Sequence, residues 1–172
     1  MSQEGEAEFG GWSIDEVLYN FICDRWPKGK SILEFGSGGG TKALAEHYVV
    51  HSVEHDIRWL NKYNSNYIFA PLKSHKPLRH YSGTVWYDPE ILEESIKSIH
   101  YDLILVDGPP GPNRAGFLKY SDLFDLDVPI IFDDVHRKSA YKVMIGFSAK
   151  LKQPCTIYNA HGSKHFGFID RG

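Results

Sequence analysis

The sequence predicts an α/β fold, a doubly wound and mostly parallel sheet finished by an antiparallel hairpin. Three observations predict it. Short apolar runs alternate with helix-patterned segments along most of the chain. Two of those runs, YDLILVD at 101–107 and VPIIFDD at 128–134, are apolar at consecutive positions, the pattern of strands covered on both faces. The last segment, 155–170, holds two strand-like runs joined by HGSK, which reads as a tight hairpin.

The elements follow in order. Residues 1–12, with Glu4, Glu6 and Glu8, read as an acidic arm, and 13–172 as one domain. Ser13 opens a helix, with Glu16 at capping-box spacing and Ile14, Val17, Leu18, Phe21 and Ile22 on one face; Pro27 and Gly29 stop it. Ser31 to Phe35 is the first strand, and the residues after Thr41 form a helix carrying Ala43, Leu44 and Tyr48. Val49 to Glu54 is the second strand, followed by a short helix that Asp56 caps. Asn66 to Ala70 is the third, ended by Pro71, and 71–87 is irregular. Asp88 caps a helix with Pro89 at its first position and Ile91, Leu92, Ile96 and Ile99 on its buried side. After the strand at 101–107 come a turn at 108–114 and a helix at 117–124. The strand at 128–134 leads into a helix from Arg137 to Leu151 with Tyr141, Met144, Ile145 and Phe147 on its apolar side. Five strands plus the hairpin make a seven-stranded, Rossmann-like sheet.

At 172 residues, with 42% apolar and 24% charged, the chain is one ordinary globular domain. A net charge of −3 and no long basic run give no reason to expect nucleic acid or an anionic membrane. Cys23 and Cys155 match no metal or redox spacing and read as reduced thiols. No membrane span or signal peptide is legible, so the expected location is cytoplasmic.

The chemistry concentrates at strand ends. ILEFGSGGGT, 32–41, puts Glu34, Gly36, Gly38 and Gly40 at alternate positions between the first strand and its helix. Ligands of such sheets bind beyond the carboxyl ends of the strands, where strand order reverses. The next strand ends in Glu54, whose carboxylate suits the two hydroxyls of a ribose. Loop and acid together point to an adenosine-containing cofactor. A dinucleotide loop has a different glycine spacing, and Glu34 would repel a pyrophosphate.

With these residues the chain resembles the class I S-adenosylmethionine-dependent methyltransferases, whose first motif reads E/D-x-G-x-G-x-G and whose sheet ends in a like hairpin. The resemblance runs from Ser31 onward. It implies that Gly36, Ser37, Gly38 and Gly40 face the methionine part of the cofactor and that Glu34 organises the loop. It further implies that Glu54 binds the ribose and that His55 lies against the adenine edge, with Ala70, Trp86 and Tyr87 on the adenine side.

Asp107, Asp133 and Asp134 end two neighbouring strands and would repel one another unless a cation sits between them. A divalent metal, the cofactor's sulfonium, Arg114 and Arg137 are the candidates. The three acids resemble the Mg²⁺- or Mn²⁺-binding set of cation-dependent O-methyltransferases, except that Asp134 stands where that family has Asn. There the ion holds two neighbouring substrate oxygens and acidifies one. The alternative for Asp133 and Asp134 is capping of the next helix with a salt bridge to Arg137. VDGPPG followed by DDVHR resembles more closely a bacterial methyltransferase-like group with some members near glycan-modification enzymes.

The resemblance implies methyl transfer to oxygen on a small hydroxylated molecule or sugar, with Asp107, Asp134 and His136 as candidates to deprotonate it and Asp107 also beside the cofactor. A cofactor-binding module without turnover is the alternative. A nucleic-acid methyltransferase is disfavoured, because Gly108 interrupts the D-P-P motif and Gly111 stands where an aromatic should stack on the base. A second copy of the chain, in a homodimer, is a candidate to cover the site.

Overall fold

The computed structural model describes Phe9 and residues 13–171. The acidic arm and its boundary at residue 12 lie outside the described residues, apart from Phe9, whose ring centroid is 5.2 Å from that of Tyr19.

Seven strands form one sheet in the order β3-β2-β1-β6-β7-β9-β8. They are β1 (Ser31–Phe35), β2 (Val49–Glu54), β3 (Asn66–Phe69), β6 (Leu103–Val106), β7 (Ile130–Phe132), β8 (Cys155–Asn159) and β9 (His165–Ile169). The first five are parallel to one another, and β9 lies antiparallel to both β7 and β8. This is the sheet that the sequence predicts. The order reverses at β1, which is flanked by β2 on one side and β6 on the other.

Alternation along the central strands sorts the core into two layers. Ile32, Leu103, Leu105 and Ile131 point to α1 (Glu16–Arg25) and α2 (Gly39–Ala45). Leu33, Phe35, Ile104, Val106, Ile130 and Phe132 meet α3 (Pro89–Ile96), α4 (Ala115–Lys119) and α5 (Lys138–Leu151) on the other face. Both faces are filled, which is why β6 and β7 are apolar at every position.

Several local expectations change. Asp15, not Ser13, caps α1 by accepting from Val17 N, because the chain turns one residue pair later than the capping-box spacing suggests. The stretch 71–87 is not wholly irregular: β4 (Leu72–Ser74) and β5 (Val85–Tyr87) pair antiparallel as a separate two-stranded ribbon. The helix expected at 117–124 is a 3₁₀ turn at Gly111–Arg114, the short α4, and a second 3₁₀ turn at Ser121–Leu123. In α5 the buried face is Ala140, Val143, Met144 and Phe147, while Tyr141 and Ile145 are 42% and 40% exposed. No helix among the described residues is long and apolar enough to cross a membrane.

Candidate functional site

The tips of β1 and β6 come together at the reversal point, and glycine makes the approach possible. Gly36 has φ +88°, and a Cβ there would stand 3.1 Å from the backbone N and Cα of Gly108. Both Asp107 N and Gly108 N donate to Phe35 O. Gly36 is therefore required by the neighbouring strand as well as open to a ligand. Gly40 has a different reason. It lies inside the first turn of α2, which starts earlier than the sequence suggests, and a Cβ there would meet Ile14 at 2.3 Å. The structure thus assigns Gly40 to packing against the segment before α1, outside the crevice.

Glu34 is 1% exposed and holds the loop from beneath. Gly38 N donates to Thr41 Oγ1, which donates to Glu34 at 2.9 Å, and Ser52 Oγ donates to the same carboxylate at 2.7 Å. Burial raises Glu34 to about 7, against the two hydroxyl bonds that favour its ionised form.

Glu54, at the tip of β2, is a hub. Oε2 accepts from Ser37 N at 2.9 Å, and Oε1 accepts from His55 N at 2.7 Å and Asp56 N at 2.8 Å. Burial works to raise its pKa, but the His55 ring and these three amides outweigh it and hold the carboxyl below its ordinary range. Oε2 keeps room for a further donor, since it carries a single bond among the described residues.

Glu34 and Glu54 thus pull stability in opposite directions with pH. Glu34 binds its proton more tightly folded than unfolded, so between 4.5 and about 7 a rise in pH costs the folded state stability. Glu54 binds its proton less tightly when folded, so stability is lost as pH falls below the ordinary glutamate range. The ligand-free protein is therefore expected to melt highest near pH 5 and to lose a few °C (roughly 1–3 kcal/mol) by pH 8. Thermal unfolding across that range checks it, and Glu34→Gln should lessen the alkaline slope, leaving the part that the raised Asp107 and Asp133 contribute.

A crevice of about 220 Å³ opens over these strand tips. Gly36, Ser37, Glu54, His55, Tyr87 and Asp107, all expected at the cofactor site, lie on its wall. Gly38, Ala70 and Trp86 do not: Gly38 is the N-cap of α2 with its N bonded to Thr41 Oγ1, Ala70 N bonds back to Glu54 O, and Trp86 packs among Phe35, Tyr87 and Phe117. Trp86 is held there by Gly116, where a Cβ would strike the indole at 2.4 Å. The sequence reading missed Ser13, Trp59 and Pro109 on the wall; only Trp59, an aromatic just past the strand-end acid, carried a signal.

Asp107, Asp133 and Asp134 all border the crevice, but Arg114 stands among them. Its side chain is 6% exposed. Nη1 donates to Asp133 O at 2.7 Å, and Nη2 donates to Asp107 O and lies 3.3 Å from Asp107 Oδ1 and 3.5 Å from Asp134 Oδ2. Asp133 is 4% exposed and turns Oδ1 back to Asp134 N at 2.7 Å. Among the described residues no three His, Cys, Asp or Glu side chains converge as a metal site, so the expected triad does not fit a divalent ion. Burial raises both Asp107 and Asp133, with Arg114 opposing it and the neighbouring acids reinforcing it. Asp134 adopts φ +59° and pairs with Arg137 Nη1 at 3.5 Å. It does not cap α5, whose N-cap is Arg137 with no side-chain bond. His136 stands off the crevice wall, accepting weakly from His165 N with Nε2 3.9 Å from Asp134 Oδ1.

Among the described residues, three wall residues carry a buried polar side-chain atom with neither a hydrogen bond nor an ion-pair contact, Ser13 Oγ, Tyr87 Oη and Arg114 Nε, while His55 Nδ1 lies 3.1 Å from Glu54 Oε1. Native proteins rarely leave such atoms unpaired. Their gathering around one crevice, with a spare acceptor position on Glu54, fits an adenosine-containing ligand with a polar tail.

No family model and no curated protein matches the chain. Solved structures do. A cofactor-bound protein from MTB superposes with TM-score 0.62 at 12% identity, covering 96% of this chain and 84% of its own. The precorrin 8w decarboxylase of Methanobacterium thermoautotrophicum gives 0.60 at 15%, covering 94% and 92%. An O-methyltransferase from Bacillus cereus in complex with SAH (S-adenosylhomocysteine) gives 0.57 at 16%, covering 94% and 84%. At these identities the likeness is one of architecture: the chain has the Rossmann-like fold of class I S-adenosylmethionine-dependent methyltransferases.

Proposed function

We propose that this protein is an S-adenosylmethionine-dependent methyltransferase acting on a hydroxyl of a small molecule or sugar. The observation that carries the reading is the set of wall residues with unpaired buried polar atoms around Gly36, Glu54 and Asp107. When bound, the cofactor supplies a methyl group made electrophilic by its sulfonium. Glu54 accepts from the ribose through Oε2, while its other bonds fix the Ser37 and Asp56 backbone on either side. His55 and Trp59 would hold the adenine, and Gly36 and Ser37 would leave main chain for the amino-acid end. Tyr87 stays protonated, because burial raises its phenol well above 10, so it serves as a donor and not as a base.

Asp107 is the proton acceptor. Its raised pKa brings it toward neutrality, and Arg114 keeps an ionised population available. With the cofactor bound, Asp107 would take the proton of the acceptor hydroxyl. Asp134 stays paired with Arg114 and Arg137 and sets the local charge. The chain's net charge of −3 supports a neutral acceptor over a nucleic acid.

Methyl transfer from radiolabelled cofactor to a panel of hydroxylated small molecules and sugars tests this. Label transferred to oxygen and blocked by S-adenosylhomocysteine supports the reading. Tight cofactor binding without transfer to any member would favour a binding module.

A further inference from the structure

Three strand-end acids beside a methyl-transfer site invite a divalent ion, yet the position among them is taken. Arg114 is fixed by two carbonyls from the ends of different strands, Asp107 O and Asp133 O, so its guanidinium cannot swing aside without breaking both. The same group faces Asp107 Oδ1 and Asp134 Oδ2, two of the three carboxylates expected to hold a metal. A planar guanidinium suits this bridging role, and it does not dissociate from the chain as an ion does. Its remaining donor, Nε, is buried and unpartnered in the crevice wall.

We infer that the crevice carries its own cation: Arg114 occupies the place of a divalent metal, so the acceptor is a single hydroxyl and not a pair of neighbouring oxygens needed to chelate an ion. The statement about the acceptor rests on the methyltransferase reading; the statement about the cation does not. Arg114 balances the charge of Asp107 and Asp134.

The test is Mn²⁺ binding followed by electron paramagnetic resonance, in the absence of cofactor and acceptor. The native protein is expected to leave the free-ion signal undiminished. Arg114→Gln, which removes the charge but keeps an amide to donate to the carbonyls, should gain at least about tenfold in Mn²⁺ affinity. A further Asp107→Asn change should remove that gain. Circular dichroism confirms that the variant is folded, and Arg114→Met replaces it if it is not. Mn²⁺ uptake by the native protein that Asp107→Asn abolishes would overturn the inference, as would a folded variant that gains no affinity. The native measurement decides even without a variant, and none of these outcomes depends on whether the protein transfers methyl groups. With turnover established, a chelator should leave the rate unchanged, and a methyl acceptor bearing one isolated hydroxyl should react as well as a vicinal diol.

Discussion

Glu54→Ala is expected to weaken S-adenosylhomocysteine binding by at least about 100-fold in a calorimetric titration. Two losses combine. The ribose loses a charged acceptor, and hydrogen bonds to charged groups are worth about 1.5–3 kcal/mol each. The amides of Ser37, His55 and Asp56 also lose their shared partner, so the loop that backs the cofactor is no longer held in one shape. Glu54→Gln separates these effects. It keeps an oxygen for part of the amide set but removes the charge, and should fall between wild type and alanine. Equal affinity in all three proteins would detach Glu54 from the ligand altogether.

Asp107→Asn should cut single-turnover methyl transfer by about 10²–10⁴-fold, the range for losing a positioned base. Cofactor affinity should change far less, because Arg114 bonds to the Asp107 main-chain carbonyl, which the substitution keeps. The split between rate and affinity distinguishes a proton acceptor from a residue that only maintains shape. The pH dependence adds a second signature: the alkaline rise in rate governed by Asp107 should vanish in the variant. A rate loss matched by an equal loss of affinity would make Asp107 a cofactor ligand and nothing more.

What the sequence made legible was what repeats or what must be polar at a strand end. The apolar runs of β1, β2, β6 and β7 had to be strands, and Glu34, Glu54, Asp107 and Asp133 had to sit at or near their tips, because neither location nor charge leaves much choice. The ribbon of β4 and β5 was not legible: each strand has only three residues, two of the three in β4 are exposed, and none in β5 is, so no alternation marks them. The face of α5 shifted because Tyr141 and Ile145 look apolar in the sequence while the sheet takes Val143, Met144 and Phe147.

The site shows the same limit. Sequence spacing placed Gly40 with Gly36, yet α2 begins before it and turns it toward Ile14. Trp86 and Tyr87 are neighbours on a strand, so only one of them faces the crevice. Arg114 was one of four candidate cations for the acid cluster, and its selection depends on a short 3₁₀ turn whose geometry carries no sequence period. His136 follows two buried aspartates but lies beyond the bend that Asp134 makes at φ +59°, and so it stands apart from the crevice.

The most direct measurement is a crystal structure of the protein grown with S-adenosylhomocysteine. The expected result is the ribose on Glu54, the adenine between His55 and Trp59, the amino-acid end over Gly36 and Ser37, and the sulfur facing Asp107. Crystals in which the crevice stays empty at saturating ligand, or in which the nucleoside binds away from the tips of β1 and β2, would contradict the account.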